Sequence, residues 1–317
     1  MKIPKSWLYV RDRFYVVDGN SIDHNQNSTN DSFSEKWVSF AKEDDVDKIK
    51  LDKFQRNWFL DLYGFESEDE LKAFLQNRRT IVDMGCGLGY KSYWLSQLAP
   101  ESTIIAIDYS NAVVEAHKKF ARAASNIVFV QGDIANSKLE KSSIDLIVCD
   151  QVIMHTTDPR QTLIAFGDLL QSSGDLLCYW YRKKALPREL LDDYFRDNVQ
   201  NFSKEQLWQL SEELLQLGKM LSDLQVRANF PSVPALGIKG GEMDLQRFIY
   251  WNFIKCFWNS ELGHATSLAT NFDWYSPKNA KRFSKMEVYS DLEAAGLIDV
   301  FFHEEPACYS GRFRLKV

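Results

Sequence analysis

The sequence predicts an α/β fold, a doubly wound and mostly parallel seven-stranded sheet with an N-terminal cap and an α-helical insertion. Three observations predict it. Short apolar runs alternate with amphipathic stretches from residue 80 to residue 181. Gly85, Gly87 and Gly89 stand at alternate positions just after the first apolar run, where glycine's conformational freedom suits a close approach to the backbone. Helix and strand patterns then return after residue 284, beyond a long helical interruption.

The chain has 317 residues, room for two domains or one large elaborated one. Hydrophobic residues make up 45% and charged residues 26%, the balance of a soluble globular protein. No apolar run is long enough to span a membrane, and the charged N-terminal stretch does not read as a signal peptide. The five cysteines are scattered with no C-x-x-C pair, so neither a metal site nor a disulfide framework is indicated, and a cytoplasmic location is expected. The formal net charge is −6. Basic groups such as Arg182-Lys183-Lys184 are too short to argue for a nucleic-acid face, which points to a small-molecule partner and to no nucleic acid or membrane.

Taken in order, residues 7–17 read as strand, 20–32 as a polar loop, and 33–42, 51–63 and 68–76 as helices. Strands follow at 80–84, 103–108, 126–131, 144–150 and 175–181. Helices lie between them, from the glycines to residue 98 and over 111–123. A further helix starts at Asp158-Pro159, an N-cap with proline at the first helical position, and is expected to end at Gly174. Residues 187–198 predict a helix. Ser203 and Gln206 then form a capping box ahead of Leu207, Leu210, Leu214, Leu217, Leu221 and Leu224, one apolar seam. That seam suits either packing onto the rest of the chain or a homodimer. A loop over 231–241 leads into an aromatic helix over 244–259. Ser284 and Glu287 form a second capping box for a helix stopping at Gly296, and 298–303 and 308–317 read as a hairpin. The expected organisation is a cap over 1–79, a cofactor-binding core over 80–186, a helical substrate lid over 187–283, and a helix with hairpin completing the core sheet over 284–317.

A glycine turn between a first strand and a helix is where a doubly wound sheet holds a nucleotide. The register is G-x-G-x-G after Asp83, not the G-x-G-x-x-G of dinucleotide sites, which opposes an NAD-dependent oxidoreductase. The run Asp83-Met84-Gly85-Cys86-Gly87-Leu88-Gly89 resembles the first motif of class I S-adenosylmethionine-dependent methyltransferases. Asp108, 25 residues after Asp83, ends the second strand of that core, Gly132-Asp133-Ile134 follows the third, and His155-Thr156-Thr157-Asp158-Pro159 follows the fourth. The resemblance implies S-adenosyl-L-methionine as cofactor. It implies contacts from Asp83, Gly85, Cys86, Gly87, Gly89, Asp108, Tyr109, Asp133, Ile134, Asp150 and Gln151, with Asp108 on the ribose hydroxyls and Asp133 and Ile134 on the adenine. Asn271-Phe272-Asp273-Trp274-Tyr275 is similar to a segment shared by a bacterial subgroup with a large insert.

Methyl transfer from a sulfonium is an in-line displacement, so a base is needed only where the acceptor must lose a proton. His155 and Asp150, at the exit of the fourth core strand, are the catalytic candidates. Phe33, Trp37, Gln151, Tyr181, Glu242, His264, Asp273 and Trp274 are the candidates for holding the acceptor, with Glu242, Asp244 or Asp273 facing a cationic group in an aromatic pocket. The expected reaction is methyl transfer to an oxygen or nitrogen of a small molecule. An RNA or protein acceptor, and a cofactor-binding protein without turnover, are the alternatives.

Overall fold

The computed structural model describes residues 3–18, 23–40 and 45–316, with side chains for 3–18, 23–36 and 50–316. Two short strands open the chain, β1 (Trp7–Arg11) and β2 (Phe14–Val17). Three helices follow, α1 (His24–Phe40), α2 (Asp45–Tyr63) and α3 (Glu68–Leu75), the last capped by the Ser67 side chain, which accepts from the Glu70 N–H. The alternating unit is β3 (Thr80–Met84), α4 (Tyr90–Leu98), β4 (Thr103–Asp108), α5 (Ala112–Phe120), β5 (Ile127–Gln131), β6 (Ile144–Cys149), α6 (Pro159–Leu169) and β7 (Leu170–Tyr181). Next come α7 (Leu186–Val199), α8 (Lys204–Asp223), the hairpin β8 (Arg227–Phe230) and β9 (Gly241–Asp244), then α9 (Leu245–Asn252) and α10 (Gly263–Tyr275). The chain closes with α11 (Lys285–Ala294), β10 (Leu297–Glu304) and β11 (Cys308–Leu315).

The main sheet has the order β1-β2-β5-β4-β3-β6-β7-β11-β10. From β5 through β7 every pairing is parallel, while β11 runs antiparallel to β7 and to β10. These seven strands are the expected doubly wound sheet, and the β1–β2 hairpin extends it to nine by pairing β2 in parallel with β5. Every residue of β3 and β6 is buried, as both-face burial of central parallel strands requires. The chain leaves β3 towards β4 and β5, then crosses to β6 on the other side, so strand order reverses beside β3. The crevice at the carboxyl ends of β3, β4 and β6 is where a ligand fits such a sheet.

Several local expectations change. Residues 7–17 form two strands because Asp12 and Arg13 turn the chain, with Arg13 in the left-handed region at φ 54. The polar stretch expected as a loop is helical from His24; residues 19–22 and 41–44, which the loop and the following helix were to include, lie outside the described residues, as does Val317. Gly174 does not stop α6. It lies within β7, where the β6 register shifts between Ile144 and Leu146, and a Cβ there would sit 2.8 Å from the Ile144 carbonyl oxygen. The aromatic helix stops at Asn252, and α10 and the β8–β9 hairpin carry structure where none was expected. Both capping boxes form as their spacing predicts.

α8 packs on α10 and α9. Leu214 and Leu215 are buried, and a Cβ on Gly218 would run into the Cys256 carbonyl, so the helix rests directly on that backbone. Leu224, at the far end of the seam, is exposed. No helix among the described residues is long and apolar enough to cross a membrane.

Candidate active site

The glycine turn leaves the end of β3 and enters α4. Gly85, Gly87 and Gly89 have φ of 88, 51 and 76, a region costly for any residue with a Cβ. A Cβ on Gly85 would meet the Val152 methyl groups, and one on Gly89 would lie 2.8 Å from the Ala116 Cβ. The N–H groups of Gly85 and Cys86 donate to the Ile107 carbonyl at 2.8 and 2.9 Å, tying the turn to β4. Gly87 N–H donates to the Asp108 carboxylate at 2.8 Å, and the other oxygen accepts from the Ser110 N–H at 2.8 Å and hydroxyl at 2.6 Å. Burial pushes the Asp108 pKa up, against the pull of Ser110 and Gly87. Turn and carboxylate are therefore one hydrogen-bonded unit.

A cavity of about 230 Å³ opens on this unit. Gly85, Cys86, Gly87, Gly89, Asp108, Tyr109, Asp133, Ile134, Asp150 and Gln151 all line it, so all but one of the expected cofactor residues converge. They fit S-adenosylmethionine. Bare peptide lies at the turn, an acid stands at the end of β4, and Asp133 and Ile134 sit side by side after β5. Asp133 caps a short 3-10 turn, accepting from the Ala135 N–H at 2.9 Å. The exception is Asp83. It is buried under the turn, does not line the cavity, and accepts from the Ser92 hydroxyl at 2.6 Å. Burial raises its pKa, opposed by Lys91 and Ser92. Its visible work is to hold β3 against α4.

At the exit of β6, Asp150 accepts from the Tyr63 hydroxyl at 2.8 Å and pairs with Lys91. Both oxygens are engaged, so Asp150 ties α2 to α4 at the cavity wall. Gln151 follows with φ 64, a strained backbone for a residue with a side chain. His155 ends a short 3-10 turn, is buried, and lines the cavity. Its Nδ1 lies 2.7 Å from the Asn279 carbonyl oxygen, so Nδ1 carries the proton and Nε2 is left as acceptor. Burial pushes its pKa down to about 4, so the ring is neutral near pH 7 and a weak base. Phe33 and Tyr181 meet it edge-on at 4.8 and 5.4 Å between ring centres.

A second chamber, of about 410 Å³, adjoins the first and shares Lys36, Leu51, Gln55, Gln151, Tyr181 and Asp273 with it. Trp58, Tyr179, Tyr250, Trp251, Phe257 and Trp274 are among its walls. α1 and α2 contribute to both spaces, and Phe33 lines the cavity on the glycine turn. The Trp37 side chain lies outside the described residues. Tyr181 and Asp273 sit at the junction, and Trp274 is in the chamber wall, donating from Nε1 to Asp192 at 2.9 Å.

Two acceptor candidates are corrected. Glu242 sits on the exposed β8–β9 hairpin, paired with Arg227 at 2.8 Å, and His264 is exposed on α10 beside Glu212 at 3.0 Å; neither lines either space. Asp244 is spent on capping α9, where it accepts from the Arg247 N–H at 3.0 Å, and Asp273 is paired with Lys36. None of these three carboxylates is thus in the arrangement expected for a cationic acceptor. The residues missed in the sequence are cations: Lys91 against Asp150, and Lys184, Arg247 and Lys255 around the chamber. A signal for the last two was present, since each is a charge embedded in an aromatic run, 247–258.

Residues 75–220 match a protein family described as a methyltransferase domain. The chain is 33% identical over 102 residues to a malonyl-[acyl-carrier protein] O-methyltransferase of Halalkalibacterium halodurans, covering 31% of this chain and 38% of that one. It is 29% identical over 168 residues to a demethylmenaquinone methyltransferase of Lactococcus lactis, covering 49% and 66%. The chain thus spans less than two thirds of the length of either curated relative. A solved methyltransferase from Aquifex aeolicus aligns at a TM-score of 0.44 and 16% identity over 86% of this chain and 98% of that one, too loose a likeness to add to the sheet order above. The matched segment begins just before β3 and contains the whole glycine turn, the Asp108 carboxylate and the strands that carry them, so residues 75–220 of this chain are similar to a methyltransferase domain in the part that builds the cavity.

Proposed function

We propose that this protein transfers a methyl group from S-adenosylmethionine to an oxygen or nitrogen of a small-molecule acceptor. The observation that carries this reading is the pair of adjoining spaces, one built on the glycine turn and the other aromatic, which meet at Gln151, Tyr181 and Asp273. When bound, S-adenosylmethionine supplies a methyl group already activated on a sulfonium. The residues of this chain then have to hold, align and exclude water. In this reading Asp108 takes the ribose hydroxyls, Asp133 and Ile134 take the adenine, and the backbone from Gly85 to Gly89 makes close contact, which the lining of the cavity supports. Asp83 acts at one remove, through Ser92. Aligning an acceptor lone pair with the methyl carbon contributes roughly 7–11 kcal/mol towards the barrier. An acceptor held in this line would take the methyl as the carbon–sulfur bond breaks, and a neutral hydroxyl or amine would also have to give up its proton, to water where no base stands by.

His155 suits a hydrogen-bond acceptor that orients a hydroxyl through Nε2, because a group with a pKa of about 4 is a poor trap for a proton near neutrality. An acceptor atom already carrying negative charge needs no base at all. The two relatives are named for different acceptors, so their names support the reaction class and no one substrate. Lys184, Arg247 and Lys255 line the inner chamber, which counts against their forming a basic groove for RNA or a protein.

Calorimetry tests the reading. The protein should bind S-adenosylmethionine at about micromolar Kd, and Asp108→Ala should weaken binding at least about tenfold, the size expected for lost hydrogen bonds to a charged acceptor. Unchanged affinity in the variant contradicts the ribose role, and no binding by the native chain contradicts the function.

A further inference from the structure

The chamber holds an imbalance of charge. Arg188, just behind its wall, is fully buried but has a counter-ion, Asp192, at 2.8 Å. Three other cations line the chamber itself and have no carboxylate within ion-pair distance among the described residues. Lys255 is 4% exposed, and its Nζ donates to the Tyr250 hydroxyl at 3.2 Å. Lys184 donates to the carbonyl oxygens of Arg182 and Ala307 at 2.6 and 3.0 Å. Arg247 donates from its guanidinium to the Trp258 carbonyl at 3.3 Å. Two acids are on the lining: Asp273 pairs with Lys36, and Glu305 lies beside His303 at 3.3 Å and the Trp58 Nε1–H at 3.5 Å, so the lining carries four cationic side chains, Lys36, Lys184, Arg247 and Lys255, against two carboxylates.

A buried cation without a counter-ion is costly, and ring faces offset only part of that cost. Those faces are already used. The Lys255 Nζ lies 4.7 Å from the Trp274 ring centre and 5.2 Å from that of Tyr250, and the Lys184 Nζ lies 5.5 Å from that of Trp251. The cage that would otherwise attract a cationic ligand is filled by the protein's own ammonium groups. What Lys184, Lys255 and Arg247 lack among the described residues is an anion within ion-pair distance. Burial, with Arg188 and Lys255 nearby, pushes the Lys184 pKa down to about 7, as expected of ammonium groups kept together without that anion.

We propose that the acceptor is a small organic oxyanion, a carboxylate or phosphate on a flat apolar body, its charged end held by Lys184, Lys255 and Arg247 and its methyl-accepting atom at Gln151 and Tyr181. This rests on the methyl-transfer reading above, and the test separates the two. Naphthalene carboxylate, naphthyl phosphate, the neutral naphthalene methanol and the cationic naphthyl methylamine are titrated into the full chain saturated with S-adenosylhomocysteine. At least one oxyanion should bind about tenfold or more tighter than the alcohol, with the amine weakest. The better of the two oxyanions identifies the natural group. Lys255→Met, and independently Lys184→Met, should abolish the preference while leaving the chain folded and its S-adenosylhomocysteine affinity in place, and Lys255→Arg should keep it. Equal binding of alcohol and oxyanions, or a preference that survives both methionine variants, overturns the inference and leaves the methyl-transfer reading standing. Failure of the native chain to bind S-adenosylhomocysteine overturns the methyl-transfer reading instead.

Discussion

The cavity on the glycine turn and the aromatic chamber beside it share six lining residues, yet they are built in opposite ways. The first is mostly backbone and strand ends. Gly85, Gly87 and Asp108 come from two neighbouring strands and are locked by hydrogen bonds to Ile107 and Ser110. The second is mostly side chains, brought from α2, β7, the α9–α10 region and the segment before β11. A site made of backbone geometry admits few sequences and accepts one shape of ligand. A site made of side chains on inserted helices can be rebuilt around a new acceptor without disturbing the sheet, which is why fold alone does not identify the substrate.

This contrast can be tested by damaging one half at a time. The largest effect is expected from Asp192→Ala. Asp192 is fully buried and receives Arg188 at 2.8 Å, the Trp274 Nε1–H at 2.9 Å and the Tyr275 hydroxyl at 2.7 Å. Its removal leaves a buried guanidinium unpaired and should cost about 3–5 kcal/mol in urea unfolding. S-adenosylmethionine affinity, measured where the variant is still folded, should stay nearly unchanged, and joint collapse of both would show that the halves are not separable.

The next effect is a dependence on pH, in two separate windows. His155 has a folded pKa of about 4 against an ordinary 6.5. Between those values the unfolded chain binds the extra proton, so stability rises with pH across this window and is lost as pH falls through it. Lys184 has a folded pKa of about 7 against an ordinary 10.5, so its window lies above neutrality, where stability again rises with pH. His155→Gln should flatten the acid window of the urea midpoint alone, and Lys184→Met the alkaline window alone. The smallest effect is expected at Glu242, whose partner Arg227 is as exposed as itself. Glu242→Gln should change stability by less than about 0.5 kcal/mol and leave binding in both spaces alone, and a large loss of acceptor binding would restore it to the site.

Most of the core was legible because its signals are local. Strand runs, the glycine register, the carboxylate ending β4 and both capping boxes are each settled by residues within a few positions of one another. Expectations failed where tertiary context decided. Gly174 reads as a helix stop, but its lack of a Cβ serves a bulge against β6. The polar run before Phe33 reads as a loop, yet it forms the first turns of α1, whose Ser32 hydroxyl donates to the Ser276 carbonyl oxygen at 3.1 Å. Glu242 and His264 reads as pocket residues failed for the same reason, since nothing in a sequence says which side of an inserted helix or hairpin faces inward.

The sequence by itself determined the doubly wound sheet, the turn at the end of β3 and the acid at the end of β4, because strand periodicity and the left-handed conformations that glycine tolerates are properties of adjacent residues. Only the tertiary structure decided that Asp150 is tied to Tyr63 and Lys91, that the Asn279 carbonyl holds the Nδ1 proton of His155, and that Lys184, Lys255 and Arg247 line one chamber with no carboxylate within ion-pair distance among the described residues. Those properties depend on burial and on groups far apart in the chain, and both desolvation and charge pairing are settled only when the chain has closed around them.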